Sequence, residues 1–571
     1  MLRAHFPIWT FVLTSLCLVT ALAAQAQREQ RLRHVYTLHG DRAGARLGSS
    51  LAGGHDLDKG GVADILVGAP LDAAFVNASN GLVRAYRGED GQALWALRGE
   101  TGDRFGHAVV MVDDIDGDGV TDFAVGAWGG EDRRAAVPLD QEGYVEFFSS
   151  AGGINGYPLS LGRVYGGVAK AHLGEALCRV PDLDADGVDE VMAGANQNGT
   201  GSGFALVISS KTRKVLYTLK NPLAQSNTDL FGTNLAAGDL DGDGSADLVV
   251  GAPGETHNTQ LRAGRIHVFS GKNGRYLRQL GGTPGSSLGD GALHVVSLYL
   301  ATGRPAILAG RPKLANDSGG LEYYDLTSAG VVASLVGMRP GDRWGHSIAV
   351  VGDQDGDGYD DYLVGSAALG ATLFGSAAIV SGKTLVFEVT QPTFVGDGNY
   401  DAFGYAVASA GDLDGDKRED FIITAPLDDD GALDAGSLRI LTAKEYWFSS
   451  DTHVVDVASG GQQVLTVDRG ASGNGLLYLV LGSMTGTGPT LVAGLSIPLT
   501  FDGYTDLMFQ LPNLGLLFDS RRVLPPSGER SAVWTAIPPA IALRGQKLFH
   551  AAVLFDPKGW VASRALPLYL R

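Results

Sequence analysis

The sequence predicts an all-β chain: a seven-bladed β-propeller closed by its own N-terminal strand, followed by a C-terminal β-sandwich. Three observations carry that prediction. A bulky apolar residue followed by glycine recurs seven times, an acidic loop follows nearly every copy within about eight residues, and each copy then runs into an apolar strand ending in a Gly-Ala-Pro-like turn. Copies lie about 56 to 68 residues apart, a length that suits a four-stranded unit, so seven copies mean seven blades. The 82 glycines among 571 residues imply many tight turns, which favours short strands over helices.

Residues 1–26 come first. Arg3, an apolar run from Phe6 to Ala24 and small residues at Ala24 and Ala26 form the pattern of a secretory signal peptide cut after Ala26, with an N-terminal membrane anchor as the alternative. Cys17 lies in that run, so the mature chain keeps only Cys178 and forms no internal disulfide. A secreted chain without disulfides needs another staple, and no later stretch is apolar and long enough to span a bilayer as a helix. A net charge of −19, without basic clusters, argues against nucleic acid as a partner.

The propeller occupies 33–444. Its apolar-glycine pairs are Leu47-Gly48, Phe105-Gly106, Leu173-Gly174, Phe231-Gly232, Leu288-Gly289, Trp344-Gly345 and Phe403-Gly404. Alternation and turn residues in the second copy predict strands at His107 to Val112, Phe123 to Gly126, Gly143 to Ser149 and about Tyr157 to Leu161. The acidic loop therefore joins strands 1 and 2. Antiparallel strands alternate direction, so loops 1-2 and 3-4 emerge on one face and loops 2-3 and 4-1 on the other. At the ends of the array, Ser437 to Thr442 supplies a third strand while His34 to His39 matches fourth-strand patterns. The N-terminal strand is thus expected to complete the last blade, which removes the open edges of the ring.

The acidic loops read as metal sites. Asp239, Asp241, Asp243 and Asp247 stand at positions 1, 3, 5 and 9, with Gly244 at position 6 and the Ser245 carbonyl at position 7. Carboxylates this close repel one another unless a cation lies between them, and Ca²⁺ accepts six to eight oxygens in a tolerant geometry. A strand follows each loop, and the Glu at position 12 of a helix-loop-helix calcium site is absent. Three further loops keep the full set: Asp114, Asp116, Asp118, Val120 and Asp122; Asp182, Asp184, Asp186, Val188 and Glu190; and Asp353, Asp355, Asp357, Tyr359 and Asp361. The seventh copy has Asp412, Asp414, Asp416, Arg418 and Asp420 but Lys417 at position 6, which predicts weaker binding. These make about five Ca²⁺ sites. A sixth is open at Asp56, Asp58 and Asp64, where Gly60 replaces one ligand, and the fifth copy has no carboxylate between Asp290 and Asp317. Asp-Gly turns are also good hairpin chemistry, but a hairpin does not need carboxylates at positions 1, 3, 5 and 9 together.

The turns that close the second strands read Gly68-Ala69-Pro70, Gly126-Ala127-Trp128, Gly194-Ala195-Asn196, Gly251-Ala252-Pro253, Gly310-Arg311-Pro312, Gly365-Ser366-Ala367 and Thr424-Ala425-Pro426. With the paired glycine and the acidic loop, they resemble FG-GAP repeats, the units of the seven-bladed propeller at the head of integrin α chains. The resemblance implies ligand capture on the face opposite the calcium loops, by an extracellular protein or glycan ligand. The blade disulfides, membrane span and cytoplasmic tail of those receptors are not found in this sequence, which points to a bacterial-type secreted protein rather than a receptor.

From 445 to 571 the repeat gives way to alternating short runs such as Gln463 to Val467 and Leu548 to Phe555, which suit a β-sandwich serving in anchoring, sorting or binding. The twelve histidines form no H-E-x-x-H pair, and neither a G-x-S-x-G elbow nor a phosphate loop is present. His55, His107 and His346 read as repeat positions with local hydrogen bonds, and Cys178 as a buried structural thiol. On the expected binding face, the loop from Gly129 to Glu142 and the aromatics Trp128, Tyr165, Trp344 and Tyr400 are candidates for contact. The sequence therefore predicts a non-catalytic, adhesion-type binding protein. The rival is a carbohydrate-active or phospholipase-like enzyme, because the phospholipase D that cleaves glycosylphosphatidylinositol also carries FG-GAP blades; its separate His-rich zinc domain has no counterpart here.

Overall fold

The computed structural model describes residues 33–442, apart from 74–78, 152, 154–155, 225, 257–261, 300–303, 328–329, 338, 355–357, 368–373, 386–393, 397–399 and 414–417, together with the strands between 448 and 570. Seven four-stranded antiparallel sheets follow one another along the chain. Blade 2 is representative, with strands Ala108–Val112, Asp122–Ala127, Tyr144–Ser149 and Leu159–Tyr165. Its fourth strand begins two residues later than the pattern predicts and runs on to Tyr165. Pro158 lacks the N–H that a ladder requires, so pairing starts after it.

The second strand of a blade has sheet neighbours on both edges and a blade packed on each side. Asp64–Ala69, Asp122–Ala127, Glu190–Ala195, Asp247–Ala252 and Asp420–Ala425 are accordingly buried along their whole length. Fourth strands such as Val215–Lys220 lie at the rim and are largely open to solvent.

Among the described residues, the propeller core is distributed over seven clusters, one between each pair of neighbouring blades. Between blades 1 and 2, Trp95 stacks on Phe123 with ring centroids 4.9 Å apart, and Phe123 stacks on Phe148 at 5.1 Å. The ring closes as the sequence predicts. Arg33–His39 pairs antiparallel with Ser437–Thr442 as the fourth strand of blade 7, and Tyr36, Leu38, Ile422 and Ile440 then pack against Ile65 and Val67 of blade 1. Tyr36 also donates its hydroxyl to the Gly88 carbonyl at 2.7 Å. Burying side chains as large as Tyr36 and Leu38 contributes about 1.5 to 3 kcal/mol each, so the closing strand is held by packing as well as by its ladder.

The paired glycines have a steric cause. A Cβ on Gly126 would sit 2.1 Å from the carbonyl oxygen of Gly174, and one on Gly194 would sit 2.0 Å from that of Gly232. The glycine of each Gly-Ala-Pro turn thus faces the glycine that opens the next blade, and successive blades meet backbone to backbone. Blade 7 carries Thr424 instead, lying against Gly48.

Past residue 448 the strands form a four-stranded sheet, a six-stranded sheet and a two-stranded hairpin. The described residues give these sheets but not their packing into the expected sandwich. Residues 1–26 lie outside the described residues. No helix among the described residues is long and apolar enough to cross a membrane.

Candidate metal centres

In blade 3, Asp182, Asp184, Asp186 and Glu190 each bring one carboxylate oxygen to within 4.8 Å of the others. Local hydrogen bonds wind the loop into this shape. Asp182 accepts N–H groups from Asp186 at 3.2 Å and Gly187 at 2.9 Å, Asp186 accepts from Val188 at 3.0 Å, and Glu190 accepts from Leu183 at 2.6 Å. Gly187 takes a φ of 87°, a conformation that glycine reaches without strain. Asp186 Oδ2 and Glu190 Oε1 are then buried without a hydrogen-bond partner. Burial, with the neighbouring aspartates adding to it, pushes the Glu190 carboxyl up to about 8. Orphaned buried acceptors are destabilising unless something satisfies them. An all-oxygen donor set of this density fits Ca²⁺.

Blades 2 and 4 bring together Asp114, Asp116 and Asp122, and Asp239, Asp241 and Asp247. The fifth-position residues stand apart from these triplets. Asp118 accepts the Val120 N–H and Asp243 the Ser245 N–H, both at 2.9 Å, and Lys272 Nζ lies 3.8 Å from Asp243. In blades 6 and 7, Asp355, Asp357, Asp414, Asp416 and Lys417 lie outside the described residues. Of the rest, Asp353 accepts the Gly358 N–H at 2.8 Å, Asp361 that of Gln354 at 2.8 Å and Asp420 that of Leu413 at 2.9 Å, with Tyr359, Arg418 and Asp412 in the same loops. In blade 5 only residues 300–303 separate the first two strands, Leu293–Tyr299 and Arg304–Gly310.

Two features escaped the sequence reading. The ninth-position carboxylate is a structural staple as much as a candidate ligand. One oxygen accepts the N–H of loop position 2 in blades 1, 2, 3, 4, 6 and 7. In blades 1, 2 and 6 the other oxygen accepts an N–H from just past the third strand: Gly88, Ser150 or Gly382. Burial raises Asp64 to about 7 and both Asp122 and Asp247 to about 6. The second feature is Arg87. Asp56, Asp58 and Asp64 do converge despite Gly60, but Arg87 pairs with Asp58 at 3.1 Å and brings a fixed cation to the edge of that site. Its signal was present in the sequence, since Arg87 stands where blades 2, 3, 4 and 6 carry Ser149, Ser209, Ser270 and Ser381.

On the opposite face, Arg104 lies over the Trp128 ring at 4.3 Å, His172 packs against the same ring at 4.9 Å, and Tyr400 is exposed. Tyr165 packs on Tyr144. Trp344 corrects the expectation of a surface contact, because it is buried between blades 5 and 6, where every apolar-glycine pair docks on the preceding blade. In the Gly129–Glu142 loop, Arg133 pairs with Glu100 at 3.0 Å and Asp103 at 2.8 Å. His107 packs edge-on to Trp128, and His346 lies against Tyr405. His55 approaches the Gly53 carbonyl at 3.3 Å through Nδ1. Cys178 is half-buried rather than fully buried as expected, and burial of its thiol pushes it up to about 12, which favours the protonated form.

Blades joined glycine to glycine, with an acidic loop between the first and second strands of most of them, define an FG-GAP propeller. The FG-GAP repeat family matches residues 231–269 and 403–441, and the chain is an FG-GAP repeat protein with distant integrin α homologues. It is 24% identical over 274 residues to integrin alpha pat-2 of Caenorhabditis briggsae, covering 46% of this chain and 18% of that one. It is 33% identical over 162 residues to integrin alpha-7 of Homo sapiens, covering 27% and 14%. It is also 28% identical over 225 residues to the phosphatidylinositol-glycan-specific phospholipase D of Rattus norvegicus, covering 38% and 21%. The chain therefore spans about a fifth or less of the length of these relatives.

Proposed function

We propose that this chain is a secreted, calcium-stabilised binding module that captures an extracellular protein or glycan on the face formed by its 2-3 and 4-1 loops, without catalysis. The observation that carries the calcium half is the blade 3 loop, where two buried carboxylate oxygens have no partner inside a group of four acids. Asp182, Asp184, Asp186 and Glu190 would hold the ion there, with the equivalent loops of blades 2, 4, 6 and 7 acting likewise. Bound Ca²⁺ offsets the repulsion among the acids and fixes the 1-2 loops. Recognition then falls to the opposite rim, where Trp128, Arg104 and Tyr400 are set on rigid blades. The likeness to integrin α chains supports a binding role, and the N-terminal pattern from Arg3 to Ala26 supports export.

The relationship to a phospholipase D favours a second reading, a secreted lipid- or carbohydrate-active enzyme that uses the propeller as scaffold. Glycan and protein arrays probed with the full chain at millimolar Ca²⁺, alongside hydrolysis and lyase screens, separate the two. Saturable binding that Trp128→Ala weakens, with no turnover, is expected. Turnover of any substrate that the same substitution abolishes would overturn the preference.

A further inference from the structure

On the face opposite the acidic loops, at the seam where the chain closes on itself, we propose a second and chemically different metal site, formed by His39, Asp428 and Asp430 and suited to a divalent transition ion such as Zn²⁺. One ring nitrogen of His39 and one carboxylate oxygen from each aspartate lie within 4.8 Å of one another. His39 ends the closing strand, and both aspartates lie in the 2-3 loop of blade 7. Asp428 is almost fully buried, and His39 Nδ1 is sealed from solvent without a hydrogen-bond partner.

Blade 1 supplies an internal control. Its turn Ala69-Pro70-Leu71-Asp72 repeats Ala425-Pro426-Leu427-Asp428 residue for residue, and the backbone around the two aspartates is the same. The N–H of Asp72 donates to Ala69 at 3.1 Å and that of Asp428 to Ala425 at 3.2 Å; Gly81 and Gly436 donate to the respective aspartate carbonyls at 2.9 and 3.0 Å. The buried Asp72 carboxylate is neutralised by Arg98, the last residue of its fourth strand. The same register position in blade 7 is His39: Arg98 pairs with Leu82 and His39 with Ser437, each opposite the first residue of a third strand. Where blade 1 holds one acid and a fixed cation, blade 7 holds two acids and an imidazole.

An imidazole and two carboxylates that converge in this way suit a metal ion. Hydrogen bonds donated by the Asp430 N–H at 2.7 Å and the Ser437 hydroxyl at 2.5 Å already orient the Asp428 carboxylate, as donors around a metal-ligating carboxylate do. A mixed nitrogen and oxygen donor set selects a borderline ion such as Zn²⁺ over Ca²⁺, which takes oxygen alone. Three protein ligands leave a coordination position for water or for an incoming carboxylate.

The test uses the metal-stripped full chain in saturating Ca²⁺, so that the acidic loops are filled, titrated calorimetrically with Zn²⁺. The wild type is expected to show a site that His39→Ala and Asp430→Asn each weaken by at least about tenfold, while Asp241→Ala leaves it intact. Near-UV circular dichroism of the two variants establishes that they fold. Co²⁺ in place of Zn²⁺ should give a visible d–d band that is lost in His39→Ala. Superimposable Zn²⁺ titrations of wild type and His39→Ala, or no Zn²⁺ uptake by the wild type, overturns the site and leaves the calcium reading untouched.

Discussion

Within the blade 3 loop, Asp182 and Asp184 are both acidic, both exposed and two residues apart, yet the structure gives them separable roles. Asp182 is a loop-former, holding the N–H groups of Asp186 and Gly187. Among the described residues Asp184 makes no hydrogen bond; it contributes only its charge to the group of four and to the raised Glu190. Asp184→Ala should therefore change sign with calcium. With free Ca²⁺ at ten to a hundred times the dissociation constant, loss of the site removes about 1.4 to 2.7 kcal/mol. Spread over the unfolding entropy of about four hundred residues, that is a fall in Tm of about 1.6 to 3 °C. In EGTA the same substitution removes a repulsive charge, so Tm should stay level or rise. Asp182→Ala should lower Tm in both conditions, because its backbone hydrogen bonds are lost with or without the ion. Differential scanning calorimetry of the three proteins in 1 mM free Ca²⁺ and in EGTA decides the matter. An equal fall for Asp184→Ala in both buffers, or no fall in calcium, refutes the assignment of this loop as a cation site.

Four further outcomes are expected. Gly126→Ala forces blades 2 and 3 apart and should destabilise by about 1 to 3 kcal/mol or more in urea. Gly119→Ala meets open space and should cost only about 1 to 2 kcal/mol of backbone strain. Burial, with Arg104 nearby, lowers His107 to about 4; its folded value lies below the unfolded one, so its contribution is whole above pH 6.5 and is lost as pH falls from 6.5 towards 4. His294 and His346 shift the same way, so His107→Gln should flatten the acid limb of a stability-pH curve in part, and an unchanged slope would contradict its buried neutral state. Cys178 should react with a chromogenic disulfide at pH 8 only after denaturation; rapid reaction of the native chain would contradict its raised pKa.

What the sequence made legible follows from which forces act locally. The repeat period, the seven apolar-glycine pairs and the ligand spacing are all properties of short stretches, so blade number, strand order and the gathering of Asp182, Asp184, Asp186 and Glu190 could be read directly. The strand-4 signature of His34 to His39 was legible because a closing strand must carry the alternation of the blade it completes. What stayed hidden depends on neighbours in space. The staple role of Asp122 needs Ser150 brought to it from beyond the third strand, and the Arg87 guanidinium reaches Asp58 only once strands 1 to 3 are paired. Trp344 read as a surface aromatic because its position beside a loop is local, whereas its burial is decided by blade 5.

The seam between blades 1 and 7 is where this division has most consequence. Asp72 and Asp428 stand in identical four-residue turns, and locally only the residues just beyond them differ, Ala74 in one and Asp430 in the other. The rest of the difference comes from the fourth strand. Blade 1 takes its own, ending in Arg98, while blade 7 borrows one from the far end of the chain, ending in His39. A guanidinium completes the first site as an ion pair; in the second an imidazole and the extra carboxylate of Asp430 supply one nitrogen and one more oxygen donor instead. Ring closure is thus the step that sets the chemistry of the site. It follows that His39→Arg, by restoring the blade 1 arrangement, should abolish Zn²⁺ binding while retaining the closing strand and its stability.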